Sequence, residues 1–431
     1  MIKDKGASQR STFNVQCSTL LPSVNDRWFL IQHYNFMYNF NTIINRKGTG
    51  DLMHEALLPR WHRDDLLPMW VADMDFAVCP AIIDALKKRL EHPILGYTVE
   101  PDDYFPSIHD WVLSHHGWEI KRQWLKFIPG IVKGIGIVCN LFLKPDEKVI
   151  VMPPVYHPFF LTPQGNHREV VWNPLRRKDD GYYEIDFEQL ANVYDEKCKL
   201  LILCNPHNPG GICWDKETLV RLADFCYDHN ILVVSDEIHA DMAIFGHKHI
   251  PFASVSEKAA EISITFQAPT KTFNIAGIIS SHAIVPNKKI RDVLYTWLTA
   301  NELDEAHIFA HIATIAAFRH GEEWRQQMLA YVEDNIRFVE DYCKQHIPQI
   351  KPLRPQASFL LWLNCRDLHL SHDELLDLFI DKAHLALNDG EMFGQGGEGF
   401  MRLNVGCPRA MLQQALEQLR EAKASLLKIE H

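Results

Sequence analysis

The chain has 431 residues, of which 47% are hydrophobic and 23% are charged, and its formal net charge is −11 at pH 7. This is ordinary globular composition, and interspersed charges with an acidic balance argue against nucleic acid as a partner. No apolar run reaches the roughly 18 residues of a membrane helix. Ten cysteines are scattered without a C-x-x-C pair, which favours reduced thiols in a cytoplasmic protein.

The beginning of the chain differs from the rest. It shows no clear periodicity and has no apolar segment typical of a secretion signal. Further along, strand-like runs alternate with amphipathic stretches up to about residue 300, after which long helical patterns dominate. We therefore predict a disordered extension at 1–36, a segment at 37–80 that packs with the small domain, a large domain at 81–320 and a small α+β domain at 321–431.

Four short runs in the middle of the chain are apolar on both faces, as buried parallel strands are: 148–154, 199–206, 231–237 and 263–268. Between two of them, 216–229 carries an apolar stripe at helical spacing. This alternation predicts an α/β fold with a mostly parallel central sheet wrapped by helices. Ligands of such sheets lie at the carboxyl ends of the strands.

After about residue 300 the pattern changes to that of an α+β domain. Helices are predicted at 306–319, 322–346, 372–384 and 409–428, and strands at 358–363 and 400–405.

Polar groups follow two of the predicted strands. In "CNPHNPGG" (204–211) the prolines fix a turn, and we expect Asn208 to point into the crevice, a simple tight turn being the alternative. Asp236 ends an apolar strand, so its carboxylate should be desolvated and need a cationic partner. An internal salt bridge would also explain it. A metal site with His239 and Asp241 is a further alternative that no ligand spacing supports, and we predict no metal.

A lysine follows the last of these strands. Lys271 lies in "QAPTKTFNIAG" (267–277), among small and apolar residues. Burial lowers the pKa of a lysine, and the neutral amine can attack a carbonyl. With Asp236 for a pyridine nitrogen and Asn208 for a phenolic oxygen, Lys271 completes the set that binds pyridoxal 5'-phosphate (PLP) through a Schiff base.

These motifs, in this order, resemble the fold-type I PLP-dependent enzymes of the class I/II aminotransferase superfamily. The resemblance implies that Lys271 binds the cofactor covalently and moves protons, that Asp236 pairs with the ring nitrogen, and that Asn208 donates to the ring oxygen O3′. His239 stands where many relatives carry a tyrosine that reaches O3′. Tyr156 would stack on the ring.

The phosphate of the cofactor is expected at the start of the helix in "PGIVKGIG" (129–136). Gly130 permits the turn, and the amides of Ile131 and Val132 would point at the anion. The motif matches neither G-x-G-x-x-G nor a P-loop, which makes a nicotinamide site a weak alternative. The resemblance adds the hydroxyl of Thr270.

Two further residues are assigned by the resemblance alone. Tyr97 in "LGYT" would reach the phosphate of a neighbouring subunit, which implies a homodimer; a buried core tyrosine is the alternative. Arg402 in "FMRLNVGCP" would hold the α-carboxylate of the substrate, a task suited to a bidentate guanidinium, with a surface salt bridge as the alternative. Ala268 and Ile279 depart from the family pattern, so phosphate binding should rest on the helix amides, Thr270 and Tyr97.

Within the superfamily, "WVADMDFAVCP" (70–80), "LGYT", "SDEIHAD", "KTFNIAG" and "RLNVGCPR" together resemble the cystathionine β-lyase branch, which includes a bacterial maltose-regulon modulator. The resemblance implies a cysteine-S-conjugate β-lyase, which cleaves an L-cysteine thioether to pyruvate, ammonia and a thiol. An aminotransferase of an L-amino acid is the first alternative, because it uses the same groups. A PLP-binding regulatory protein is the second.

Overall fold

A seven-stranded sheet lies at the centre of the computed structural model, which describes residues 38–426. In spatial order its strands are β2 (Leu125–Ile128), β10 (Ser281–Ile284), β9 (Ser263–Gln267), β8 (Leu232–Asp236), β7 (Cys198–Cys204), β3 (Lys148–Val151) and β4 (Glu169–Trp172). Of these, β10 alone runs antiparallel to its neighbours. The prediction of a mostly parallel sheet in an α/β fold is confirmed.

Both faces of this sheet are covered. Leu201 and Leu203 of β7 join one core cluster, whereas Leu200 and Ile202 join another, because successive side chains of a strand point to opposite faces. Burial on both sides explains why these strands read as continuous apolar runs rather than as alternating ones.

Before residue 347 the described chain forms twelve α-helices. Along the chain they are α1 (Leu52–Glu55), α2 (Leu57–Trp61), α3 (Pro80–Leu90), α4 (Tyr104–His116), α5 (Ile131–Phe142), α6 (Pro158–Gly165), α7 (Phe187–Val193), α8 (Lys216–Asp228), α9 (Glu257–Ile262), α10 (Lys288–Ala300), α11 (Ile308–His320) and α12 (Glu322–His346). The start of α8 is set by Asp215, whose carboxylate accepts a hydrogen bond from the Thr218 amide at 2.7 Å. Between residues 38 and 426 no helix is both long and apolar enough to cross a membrane.

A second sheet of four strands follows, in the order β11 (Lys351–Leu353), β12 (Leu360–Asn364), β15 (Phe400–Asn404) and β14 (Asn388–Asp389). It is accompanied by α13 (His372–Leu376), a π-helical turn (Asp377–Lys382) and α14 (Arg409–Leu426). The helix predicted at 372–384 is therefore divided in two. Two short pairs complete the elements: β1 (Leu67–Pro68) with β13 (Leu385–Ala386), and β5 (Arg176–Arg177) with β6 (Tyr183–Glu184).

The parallel pairing of β1 with β13 brings the chain around residue 67 beside the second sheet. The domain limits at 80 and 320 stay predictions, and the extension predicted at 1–36 lies outside the residues that the structure describes.

Candidate active site

The carboxyl edge of the parallel strands carries a cavity of about 220 Å³. Asn208 follows β7, Asp236 is the last residue of β8, and Lys271 follows β9. Nine of the predicted site residues line the cavity: Gly130, Ile131, Val132, Tyr156, Asn208, Asp236, His239, Thr270 and Lys271. Parallel strands end at the same edge of a sheet, which is why groups so distant in sequence meet here.

Lys271 is partly buried, and its Nζ donates a hydrogen bond to the carbonyl oxygen of Ala72 at 2.5 Å. Burial lowers the pKa of Lys271 to about 8, because the desolvated ammonium loses its hydration. The charges of Asp73 and Asp236 oppose this shift without cancelling it. A substantial fraction of the amine is therefore neutral near pH 8 and available as a nucleophile.

Asp236 is only 5% exposed, and Oδ1 accepts a hydrogen bond from the Ile238 amide at 3.0 Å. Burial raises the pKa of Asp236 to about 7. The nearby charge of Lys271 lowers this pKa, but by less than burial raises it. Asp236 makes no ion pair with any residue between 38 and 426, so the internal salt bridge considered from the sequence is not formed there. The carboxylate suits a cationic group from outside the chain.

His239 is 3% exposed, and its Nδ1 is buried without a hydrogen-bond partner in the described part of the chain. Burial, reinforced by the charges of Lys271 and Arg402, lowers the pKa of His239 to about 3, so the ring is neutral at pH 7. A buried polar atom without a partner is costly and indicates a place where a ligand binds.

The metal-site alternative finds no support in residues 38–426, where no group of three His, Cys, Asp or Glu side chains could hold a metal ion. Asp241 is bound instead by His116 Nε2 at 2.8 Å and by the Trp111 indole at 2.9 Å.

Arg402, on β15, is 4% exposed and makes no ion pair within the described residues. One Nη donates to Asn208 Oδ1 at 3.1 Å and the other to the carbonyl oxygen of Trp70 at 2.9 Å, while Nε is buried without a partner. Burial lowers the pKa of Arg402 to about 10. The alternative of a surface salt bridge is wrong. A buried guanidinium without a carboxylate is costly and suits a carboxylate from outside the chain.

The contact with Arg402 also orients Asn208. Because Oδ1 of Asn208 accepts from the guanidinium, Nδ2 is the amide atom left to donate into the cavity. Asn208 is 6% exposed, so this donor has little access to bulk water.

An anion site lies on another wall of the cavity. Gly130 has φ = 123° and precedes α5, whose first amides have no side-chain cap. A Cβ at Gly130 would come no closer than 3.8 Å to another atom, so the backbone angle rather than space requires glycine. Free amides at a helix start, with the Thr270 hydroxyl on the same cavity, suit a phosphate.

Tyr97 does not line this cavity. Tyr97 is fully exposed, and its apolar neighbours Ile94, Leu95 and Val99 are more than half exposed. The alternative of a buried core tyrosine is wrong, and the role of Tyr97 in a neighbouring subunit stays a prediction.

A strip of backbone at 70–76 closes the site on one side. Asn274 donates to two of its carbonyls at 2.8 and 2.9 Å, and Asn404 donates to two others at 2.8 and 2.6 Å. Lys271 and Arg402 bind two more. The sequence analysis used this strip only as part of a family motif and did not predict its backbone contacts. It also missed Ser281, a cavity residue for which the paired serines at the start of β10 were the available signal.

The fold and the site together define a class: α/β enzymes that hold a phosphorylated cofactor against a lysine at the carboxyl edge of the sheet. The model of the family "Aminotransferase class I and II" matches residues 65–419. The chain belongs to this family, and the resemblance found in the sequence is confirmed.

The relatives place the chain more finely. It is 41% identical over 385 residues to cystathionine beta-lyase PatB of Bacillus subtilis, which covers 89% of this chain and 99% of PatB. Protein MalY of Escherichia coli is 31% identical over 389 residues, 90% of this chain and 99% of MalY. The crystal structure of the PLP-bound C-S lyase from Staphylococcus hominis shares 33% identity, covers 89% of this chain and 98% of that one, and superposes with a TM-score of 0.82.

Proposed function

We propose that the chain is a PLP-dependent cysteine-S-conjugate β-lyase, which cleaves an L-cysteine thioether such as L-cystathionine to pyruvate, ammonia and a thiol. The observation that carries this proposal is the buried set of Lys271, Asp236 and Arg402, none of them in an ion pair within residues 38–426, in a chain 41% identical to a cystathionine β-lyase. The aminotransferase alternative is less favoured, because the curated relatives named cystathionine beta-lyase are 27–41% identical, against 23–24% for those named aspartate aminotransferase.

The cavity fits the cofactor group by group. The Asp236 carboxylate suits the protonated pyridine nitrogen, while His239 and the Nδ2 donor of Asn208 suit the phenolic oxygen O3′. The amides after Gly130 and the Thr270 hydroxyl suit the phosphate. Tyr156 lines the same cavity and has an aromatic face to offer the ring.

When bound, PLP draws electrons away from the substrate Cα, which makes loss of the Cα proton and then of the Cβ thiolate feasible. Lys271 serves as the base for that proton, and its lowered pKa of about 8 suits the task near neutral pH. Arg402 holds the α-carboxylate with a planar guanidinium and so fixes the direction of the Cα–H bond.

The oligomeric state is part of the proposal. Tyr97, Ile94, Leu95 and Val99 expose a continuous apolar stretch on the single chain. Such a stretch marks an interaction surface, and a second copy that covers it would bring Tyr97 towards the phosphate of its partner's site. We therefore propose a homodimer.

We also propose that the enzyme works in the cytoplasm. The nine cysteines between residues 38 and 426 are all free, as is usual for thiols kept in a reducing compartment.

The decisive assay is pyruvate release from L-cystathionine by purified, PLP-loaded protein in the absence of any 2-oxo acid. We expect pyruvate and a thiol in equal amounts. An aminotransferase would require the 2-oxo acid, whereas a regulatory protein would keep its cellular phenotype in Lys271→Ala. Failure to obtain pyruvate from cystathionine, cystine and S-methylcysteine alike would refute the proposed function.

A further inference from the structure

A second guanidinium lies close to Arg402. Arg60, in the last turn of α2, places Cζ 4.8 Å from the ring centre of Trp61 and 4.7 Å from that of Trp70. Its Nη2 donates to Asn388 Oδ1 at 3.2 Å. The two indoles pack edge to face, with ring centres 5.3 Å apart, so the guanidinium lies against both rings at once, although the side chain as a whole is exposed.

One amide joins the two arginines. Asn388 of β14 is the cross-strand partner of Arg402 on β15. Asn388 Nδ2 and one Nη of Arg402 both donate to the carbonyl oxygen of Trp70, at 3.0 and 2.9 Å. Arg60 binds the other end of the same Asn388 side chain. Burial is the main cause of the lowered pKa of Arg402, and the nearby positive charge of Arg60 lowers it further.

No anion in the described residues pairs with this second cation. Arg60 makes no ion pair between residues 38 and 426, and partial burial lowers its pKa while the charge of Asp389 opposes the shift. His157, beside the cavity residue Tyr156, adds no negative charge: burial and both arginines lower its pKa to about 4, and its Nδ1 is buried without a described partner.

Arg63, one turn further along, shows the contrast. Its guanidinium is 2.7 Å from Asp65 and 3.1 Å from Asp381, in two exposed ion pairs. Two carboxylates of the chain neutralise Arg63, whereas Arg60 lies against two indoles and has no ion pair within the described residues.

We propose that Arg60 is a specificity-determining residue that binds a carboxylate at the far end of the substrate, beyond the sulfur. This inference rests on the proposed function, in which Arg402 takes the α-carboxylate. The preferred substrates are then cysteine thioethers whose leaving group carries an acid. The guanidinium held against Trp61 and Trp70 is one half of a charge-assisted pair that the substrate completes.

The test uses the PLP-loaded enzyme and two thioethers of similar length, S-(2-carboxyethyl)-L-cysteine and S-propyl-L-cysteine. In Arg60→Gln we expect the ratio of kcat/KM for the acidic over the neutral thioether to fall by about 10- to 100-fold, which corresponds to the loss of a charge-assisted hydrogen bond. Arg60→Lys keeps the charge but loses the planar guanidinium, so its ratio should lie between those of the wild type and of Arg60→Gln.

Arg63→Gln is the matched control, because it removes the same charge three residues away, and the ratio should stay at the wild-type value. An unchanged ratio in Arg60→Gln, or an equal fall in Arg63→Gln, would overturn the inference. The assays with cystathionine, cystine and S-methylcysteine decide the proposed function separately. Should the wild type release no pyruvate from either of the present thioethers, the acidic-to-neutral ratio is measured from dissociation constants, by the change in cofactor absorbance. Equal ratios of the dissociation constants in the wild type and in Arg60→Gln would again overturn the inference.

Discussion

Asp236 and Glu237 are consecutive buried carboxylates at the end of β8, yet their surroundings are opposite. Asp236 is 5% exposed and accepts one hydrogen bond, from the Ile238 amide. Glu237 is 1% exposed. It accepts four bonds of 2.8–3.1 Å, from Ser235 Oγ, the Phe252 amide, Gln267 Nε2 and His249 Nε2.

The described part of the chain supplies Glu237 with a full set of hydrogen-bond donors, whereas it supplies Asp236 with only one. Buried charges are costly unless paired or hydrogen-bonded. Glu237 meets that condition with its own neighbours, and it holds strand ends and a loop together. Asp236 does not, and the cost is justified only if something outside the chain completes it.

The largest effect should come from Lys271→Ala. Without the amine the chain has no base at this position and no covalent link to the cofactor, so kcat for pyruvate release should drop by about 10⁴-fold or more. Lys289→Ala, on an exposed helix surface, is the control and should keep full activity. Borohydride reduction followed by mass spectrometry should label Lys271 in the wild type; a label elsewhere would contradict the assignment.

Asp236→Asn should have the second largest effect on activity. Asparagine keeps the shape but cannot carry the negative charge that a protonated ring nitrogen needs, so kcat should fall by about 10²- to 10³-fold. The measurement is the steady-state rate with saturating PLP. A variant within threefold of the wild type would remove Asp236 from the site and erase its contrast with Glu237.

Arg402→Lys should act mainly on substrate affinity. The lysine keeps a charge but loses the bidentate geometry, so KM for a cysteine thioether should rise by about 10- to 100-fold. A change confined to kcat would instead mean that Arg402 acts through Asn208, whose Oδ1 it binds.

Glu237→Gln should reverse the pattern of Asp236→Asn. Its amide would point a donor at groups that already donate, so the free energy of unfolding should drop by about 1–3 kcal/mol. kcat should stay within a few-fold of the wild type. Urea unfolding and the pyruvate assay together check this, and a loss of activity larger than that of Asp236→Asn would break the comparison.

The smallest effect concerns acid stability. Burial alone would raise the pKa of Asp241, but hydrogen bonds from His116 and Trp111 outweigh it and bring the pKa to about 2. A lowered carboxylate pKa stabilises the fold above the unfolded value and loses that contribution as pH falls. Asp241→Asn should therefore cost about 2 kcal/mol at pH 7, and the difference from wild type should shrink between about pH 4 and pH 2.

Much of the large sheet could be predicted, because β3, β7, β8 and β9 are buried on both faces and read as continuous apolar runs. Their ends located Asn208, Asp236 and Lys271. Helix α4 and strand β2 were not predicted: α4 contains a proline and five histidine or serine positions in a mixed pattern, and β2 is only 4 residues long. The π-helical turn after α13 follows a pattern that local periodicity does not distinguish from an α-helix.

The electrostatic state of the site could not be predicted from local pattern. Whether Asp236 and Arg402 had partners within the chain depended on contacts between residues 194 to 332 positions apart, such as Arg402 with Asn208 and with Trp70. The contacts of the strip at 70–76 could not be predicted for the same reason: its partners at 271, 274, 402 and 404 are all distant in sequence.

That strip has a consequence for how the molecule is made on the ribosome. The carbonyl of Trp70 is translated 332 residues before the guanidinium that binds it, which at about 5–20 residues per second is an interval of tens of seconds. During that interval the large sheet can collapse around its apolar strands, but three carbonyls of the strip, at 70, 71 and 73, still lack their partners on β15. Nascent chains stalled before β15 should consequently be compact yet hold vitamin B6 less firmly than the finished chain.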